Sequence, residues 1–131
     1  MRLTLIAPLS ALALLSAGVA ASEPYELEYQ DAMRCSALHS FYAAISEDQP
    51  EAKAKHEDVA IRWLTLSMAR DGEDGERALK EHEPVVEMLV ERVNGMEDDP
   101  EALNAFLNKA FNTCEEMQQA YAAEFDAVEV E

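Results

Sequence analysis

The chain has 131 residues, of which 49% are hydrophobic and 28% are charged, and its 27 acidic and 10 basic side chains give a net charge of −17. Phosphate contacts need clustered lysine and arginine, so this balance speaks against nucleic acid and anionic lipid surfaces as partners. The hydrophobic content suffices for a packed core, so disorder does not explain the charge. The excess of carboxylates is typical of high solubility, or of attraction to a basic protein partner.

Residues 1–21 have the three parts of a secretory signal peptide. Arg2 supplies the positive charge at the start, and residues 3–15 form an apolar run that is short for a membrane span. Residues 17–21 have the small side chains of a cleavage site. Cleavage would remove Arg2 and no carboxylate, which leaves 27 acidic against 9 basic residues and a net charge of −18. We therefore predict that residues 22–131 form one exported domain, periplasmic or secreted, without stable membrane association.

After the signal peptide, apolar residues recur at intervals of three and four, which is the period of α-helices. Four such segments are predicted, at about residues 25–45, 50–70, 76–94 and 100–126. Similar lengths and short connections favour an all-α fold, an up-down-up-down four-helix bundle. The alternative is three long helices in which Pro84 splits the third into two pieces, since a proline inside a helix removes a backbone donor.

The second helix contains the most apolar run of the exported chain, at residues 59–69, with the only tryptophan. Apolar side chains lie almost all round this stretch, so neighbouring helices are expected to cover it. The side chains predicted to be buried here are Trp63, Leu64, Leu66 and Met68. Four methionines lie at helix-core spacing and are likewise expected to fill the core: Met33, Met68, Met88 and Met117.

The two cysteines, Cys35 and Cys114, lie on the apolar seams of the first and fourth helices. An exported protein with two such cysteines is expected to form a disulfide. A redox role would favour a Cys-x-x-Cys pair at a helix start, which the chain lacks. We predict a structural disulfide that holds the first and fourth helices antiparallel.

The sequence offers no signature of catalysis. Glycine-rich phosphate loops, nucleophile elbows and His-Glu-x-x-His are all missing, so no catalytic, cofactor or metal residue is predicted. His39, His56 and His82 lie on or beside apolar faces of three different helices, without the Glu-x-x-His pairs of di-iron bundles or the Cys-x-x-Cys-His of bound haem. Such histidines are typical of core edges, although a loose cluster remains conceivable.

These observations predict a small, acidic, exported helical protein that is not an enzyme and has a binding or interaction role, such as an envelope-stress or immunity-type protein. The alternative is a helical bundle that carries a metal or haem through His39, His56 or His82. Folding also brings the many carboxylates closer together, which should raise their average pKa. The folded state would then bind more protons than the unfolded state, so mild acidification is predicted to stabilise the protein.

Overall fold

The computed structural model describes residues 26–71 and 75–131, and within these ranges every regular element is an α-helix. The predicted signal peptide, residues 1–21, lies outside the described residues. In chain order the helices are α1 (Tyr29–Ile45), α2 (Pro50–Arg70), α3 (Glu76–Asn94), α4 (Pro100–Ala120) and α5 (Ala122–Ala127). No helix in the described part of the chain combines the length and apolarity needed to cross a membrane.

Most helix ends follow from local chemistry. The first helix begins later than predicted, after Glu28, whose backbone N–H donates to a side-chain oxygen of Asp31 at 3.3 Å. Asp99 caps α4, because its Oδ1 accepts from the backbone N–H of Ala102 at 3.0 Å. The predicted fourth helix is in fact two, since the backbone of Tyr121 (φ −114°, ψ 27°) departs from helical geometry and separates α4 from α5.

The third helix runs through Pro84 without interruption, so the alternative in which this proline divides it is wrong. Pro84 and Lys80, one turn earlier, are both exposed. Water is therefore free to satisfy the Lys80 carbonyl that loses its helical donor.

Helix α1 is the element around which the others pack. It contacts α2, α3 and α4, and nine of its 17 residues are buried. Small side chains such as Ala32, Ala37 and Ala43 let neighbouring helices approach it from several sides, and the buried Ser36 hydroxyl donates to the carbonyl of Ala60 on α2 at 2.8 Å. These small and polar residues do not form a continuous apolar run like residues 59–69 of α2, so the sequence pattern did not mark α1 as the central helix.

The apolar run of α2 is only partly covered. Trp63 and Leu66 are buried as predicted, and the Trp63 ring packs on Phe125 of α5 with centroids 5.2 Å apart. Leu64 and Met68 are half-buried, however, and Ile61 is 45% exposed. One face of this run therefore points to solvent, contrary to the expectation of burial on all sides.

The predicted disulfide joins α1 to α4, with the Cα atoms of Cys35 and Cys114 5.6 Å apart. The two helices run antiparallel: near the start of α1, the N–H of Leu27 donates to the hydroxyl of Tyr121, at the end of α4, at 2.8 Å. Cys114 and Met117 are the buried residues of α4. The disulfide is thus a principal attachment of a helix that is otherwise largely exposed.

We predict that replacing both cysteines by serine frees α4 while α1 and α2 stay folded. A cross-link across 79 residues stabilises by about 4 to 5 kcal/mol in the chain-entropy model, and measured values are commonly smaller. Hydrogen exchange should accelerate most in α4, with a lower melting temperature and a still helical circular dichroism spectrum. Reduction of the wild-type protein should reproduce the result, and uniform acceleration across α1, α2 and α4 would contradict it.

A second prediction concerns the core. Trp63→Ala should destabilise the fold by about 3 to 5 kcal/mol, because it leaves a cavity next to Phe125. The matched control is Ile61→Ala on the exposed face of the same helix, which should cost less than about 1 kcal/mol. Urea denaturation measures both. Similar losses for the two variants would show that Trp63 is not a core residue.

Candidate functional site

A groove lies between α3 and α4 on the described surface. Both helices pack against α1, but their backbones make at most marginal contact with each other. The resulting opening has a volume of about 640 Å³ and α1 as its floor. The apolar side chains that line it are Leu38, Val85, Met88, Leu89, Phe106, Ala110 and Met117, together with the disulfide.

The groove arises because α3 and α4 are both amphipathic helices whose apolar stripes are wider than their contact with α1. Val85 and Leu89 of α3 are only half-buried, and Met88 is 67% exposed, although its spacing predicted a core position. Leu79, on the same helix, is also 57% exposed but does not line the groove. The core contact of α3 begins instead at the neighbouring Ala78, which is fully buried.

One contact bridges the two walls of the groove. The guanidinium carbon of Arg92, on α3, lies 4.5 Å from the centroid of the Phe106 ring on α4. This cation–π contact lies near the connection between the two helices, so it closes that end of the groove.

Basic side chains line the groove in an otherwise acidic protein. Arg34 from α1, Arg92 from α3 and Lys109 from α4 border it, with Asp31 as the one carboxylate among the lining residues. In the sequence, each of the three basic residues directly precedes an apolar residue of its helix: Cys35, Val93 or Ala110. Nothing in the sequence indicated that they surround one cavity.

The structure brings two of the three histidines together where α1 faces α2, next to Phe111 of α4. The Nδ1 atoms of His39 and His56 are 3.0 Å apart, so one ring donates and the other accepts. His56 stacks on Tyr42, with centroids 5.2 Å apart, and His39 packs against Phe111. His82 lies apart from this pair, with its Nε2 3.3 Å from the Ser40 hydroxyl.

Burial lowers the pKa of all three histidines and so favours the neutral form of each ring. It lowers the pKa of His39 from 6.5 to about 4, with further contributions from the positive charges of His56 and Lys55. Burial also lowers the pKa of His56, again assisted by Lys55, and that of His82. Protonation of both rings of the pair would break its hydrogen bond and place two cations about 3 Å apart.

The histidine pair supplies an incomplete donor set for a metal. Structural zinc takes four ligands, and catalytic zinc takes three from the protein. Within residues 26–71 and 75–131, no group of three or more histidine, cysteine, aspartate or glutamate side chains is placed to hold an ion. A metal-carrying function would need ligands in addition to those that the described residues place together.

A second polar cluster ties α1 to α3. The hydroxyl of Tyr29 donates to Glu81 Oε2 at 2.8 Å, and Arg77 Nε donates to Oε1 of the same carboxylate at 3.0 Å. Burial and the Glu81 carboxylate raise the pKa of Tyr29 to about 12. A phenol so resistant to ionisation is a poor nucleophile, and we assign the cluster a structural role.

From the lowered pKa values of the histidines we predict that the protein loses stability as the pH falls. Relief of repulsion among the carboxylates would have the opposite effect. His39 has a lower pKa in the folded state, so its contribution is fully present above about pH 6.5 and is lost as the pH falls toward 4. This pKa shift of His39 corresponds to a total change of about 3 kcal/mol in the free energy of unfolding. Urea denaturation between pH 7 and 5 should therefore show stability falling in the wild type.

In His39→Gln the free energy of unfolding should change less between pH 7 and 5, because glutamine has no imidazole that can be protonated. His82→Gln is the control away from the pair, and it should retain most of the slope. If the wild type instead becomes more stable between pH 7 and 5, repulsion among carboxylates outweighs the buried histidines.

No protein-family model, curated protein or solved structure matches this chain. Its function must therefore be inferred from the groove and the side chains that line it.

Proposed function

We propose that the chain is an exported, non-enzymatic binding protein that takes up an apolar ligand in the groove between α3 and α4. The observation that carries this proposal is the uncovered apolar surface of the groove. Its volume of about 640 Å³ falls within the range of small-molecule sites, about 300 to 1,000 Å³. Its lining is mostly apolar with a few polar groups at the edge, which is the usual composition of such sites.

The proposed export rests on the pattern of residues 1–21 and on the disulfide, because stable disulfides form in oxidising compartments. The high net charge has a function in this setting. It keeps molecules with an exposed apolar groove from associating with one another.

The proposed bundle is consistent with the helix directions. Helix α1 runs antiparallel to α4, and contacts of Ser36 with Ala60 and of His39 with His56 show that it also runs antiparallel to α2. In an up-down-up-down bundle, α3 and α4 would be neighbours. We infer that the groove is the opened side of such a bundle.

The expectation of a basic protein partner concerns a different surface. Three basic side chains border the groove, so a basic partner would bind the acidic outer faces rather than the groove. Envelope-stress and immunity-type roles are both compatible with a ligand-binding groove, and neither is favoured by a particular residue.

A neutral fluorescent hydrophobe, N-phenyl-1-naphthylamine, tests the proposal. Its emission should increase and shift to the blue on addition of the protein, with saturation at one molecule per chain. Met88→Glu should weaken binding at least tenfold, because it places a carboxylate in the apolar groove. The matched control is Leu79→Glu, on the same helix but outside the groove.

Met88 and Leu79 are 67% and 57% exposed, so neither substitution should unfold the protein. Circular dichroism checks this. Equal binding by the two variants would place the apolar site elsewhere, and no binding by the wild type would refute the proposed function.

A further inference from the structure

We infer that the ligand of the groove is an amphipathic anion of the long-chain carboxylate class, whose head group binds between Arg92 and Lys109. This inference rests on the proposed function and adds the chemistry of the ligand. It follows from the placement of charge around the groove.

The distribution of unpaired basic residues is the first observation. Of the nine basic residues in the described ranges, five form ion pairs with carboxylates there: Lys53, Arg62, Arg70, Arg77 and Lys80. Four form none within residues 26–71 and 75–131, and three of these four, Arg34, Arg92 and Lys109, line the groove. In a protein with 27 carboxylates, unpaired cations gathered at one apolar cavity indicate an anionic partner.

The three cations are not equivalent. Arg34 lies one helical turn from Asp31, the carboxylate that also lines the groove, so the charge on this part of the floor is balanced. Arg92 and Lys109 have no carboxylate beside them among the groove residues. Arg92 is held over Phe106, and Lys109 follows Phe106 by about one turn of α4. The positive end of the groove is therefore the end near the connection between α3 and α4.

The apolar part of the groove extends away from this positive end. Along α4, the lining residues run from Phe106 past the disulfide to Met117, a distance of about 16 Å at 1.5 Å per residue. Leu38 of α1 and Leu89 of α3 complete this path. One charged end and one apolar path match a molecule with a single anionic head group and an alkyl chain.

A small amphipathic molecule fits the groove better than a protein segment does. An α-helix is about 10 to 12 Å across with its side chains, and a stable protein interface covers about 800 Å² on each partner. A cavity of about 640 Å³ is suited instead to a ligand of small-molecule size.

Three probes with the same twelve-carbon chain separate the head group from the tail: laurate, dodecanol and dodecyltrimethylammonium, each below its micelle concentration. Displacement of N-phenyl-1-naphthylamine gives their affinities for the full-length exported chain. Laurate should bind about tenfold more tightly than dodecanol, from two exposed charge contacts. The cationic probe should bind most weakly, and added salt should reduce the advantage of laurate.

Lys109→Gln should reduce the logarithm of the affinity ratio between laurate and dodecanol by about half. The affinity for dodecanol itself should stay unchanged. Arg92→Lys, which keeps the charge, should retain more of the preference than Arg92→Gln. The matched control is Lys55→Gln, because Lys55 lies outside the groove and is the remaining basic residue without an ion pair in the described ranges. It should leave all three affinities unchanged.

Three failing outcomes can be distinguished. If dodecanol binds in a manner sensitive to Met88→Glu but laurate has no advantage, the proposed groove function stands and the anionic ligand is wrong. If none of the probes binds, the proposed function fails as well. A dimer in sedimentation experiments that Met88→Glu dissociates, without laurate binding, would assign the groove to a second copy and overturn the inference.

Discussion

The link between Cys35 and Cys114 is the constraint on which the groove depends. It fixes α4 to α1 at one point, while most of the remaining surface of α4 is exposed. Because α4 is held mainly by this cross-link to α1, it does not have to pack against α3. The disulfide therefore allows α3 and α4 to remain apart and leaves the apolar face between them open, with the Arg92–Phe106 contact as the bridge at one end.

Helix α1 makes this arrangement possible in a chain of this size. Its small residues let α2 and α3 pack closely, and its buried serine and histidine are satisfied by partners on α2. The polar contacts have a cost, however, because the His39–His56 pair must stay neutral to keep its hydrogen bond. The stability of the protein at low pH is thus a balance between relief of carboxylate repulsion and protonation of buried imidazoles.

The surface charge divides into two regions with different roles. Five of the nine basic residues in the described ranges pair with carboxylates, four of them on the same helix, as in the Arg62–Asp58 and Arg77–Glu81 pairs. Such exposed pairs contribute little to stability. Arg92 and Lys109 have no such partner in the described chain. We regard this difference as the main indication of the charge of the proposed ligand, since net charge alone pointed only to solubility or to a basic partner.

The sequence by itself determined the helical class, the bounds of α2 and α3 and the disulfide, because each depends on local periodicity, on turn residues at the helix ends or on two cysteines with no other cysteine to pair with. Only the tertiary structure decided that α1 is the central helix, that Met88 is exposed and that His39 meets His56. These outcomes depend on which faces of the helices touch. Periodicity shows which face of a helix is apolar, but it does not show which other helix packs against that face. The groove has the same origin, since it is a gap between two helices whose stripes, taken singly, resemble those of any packed helix.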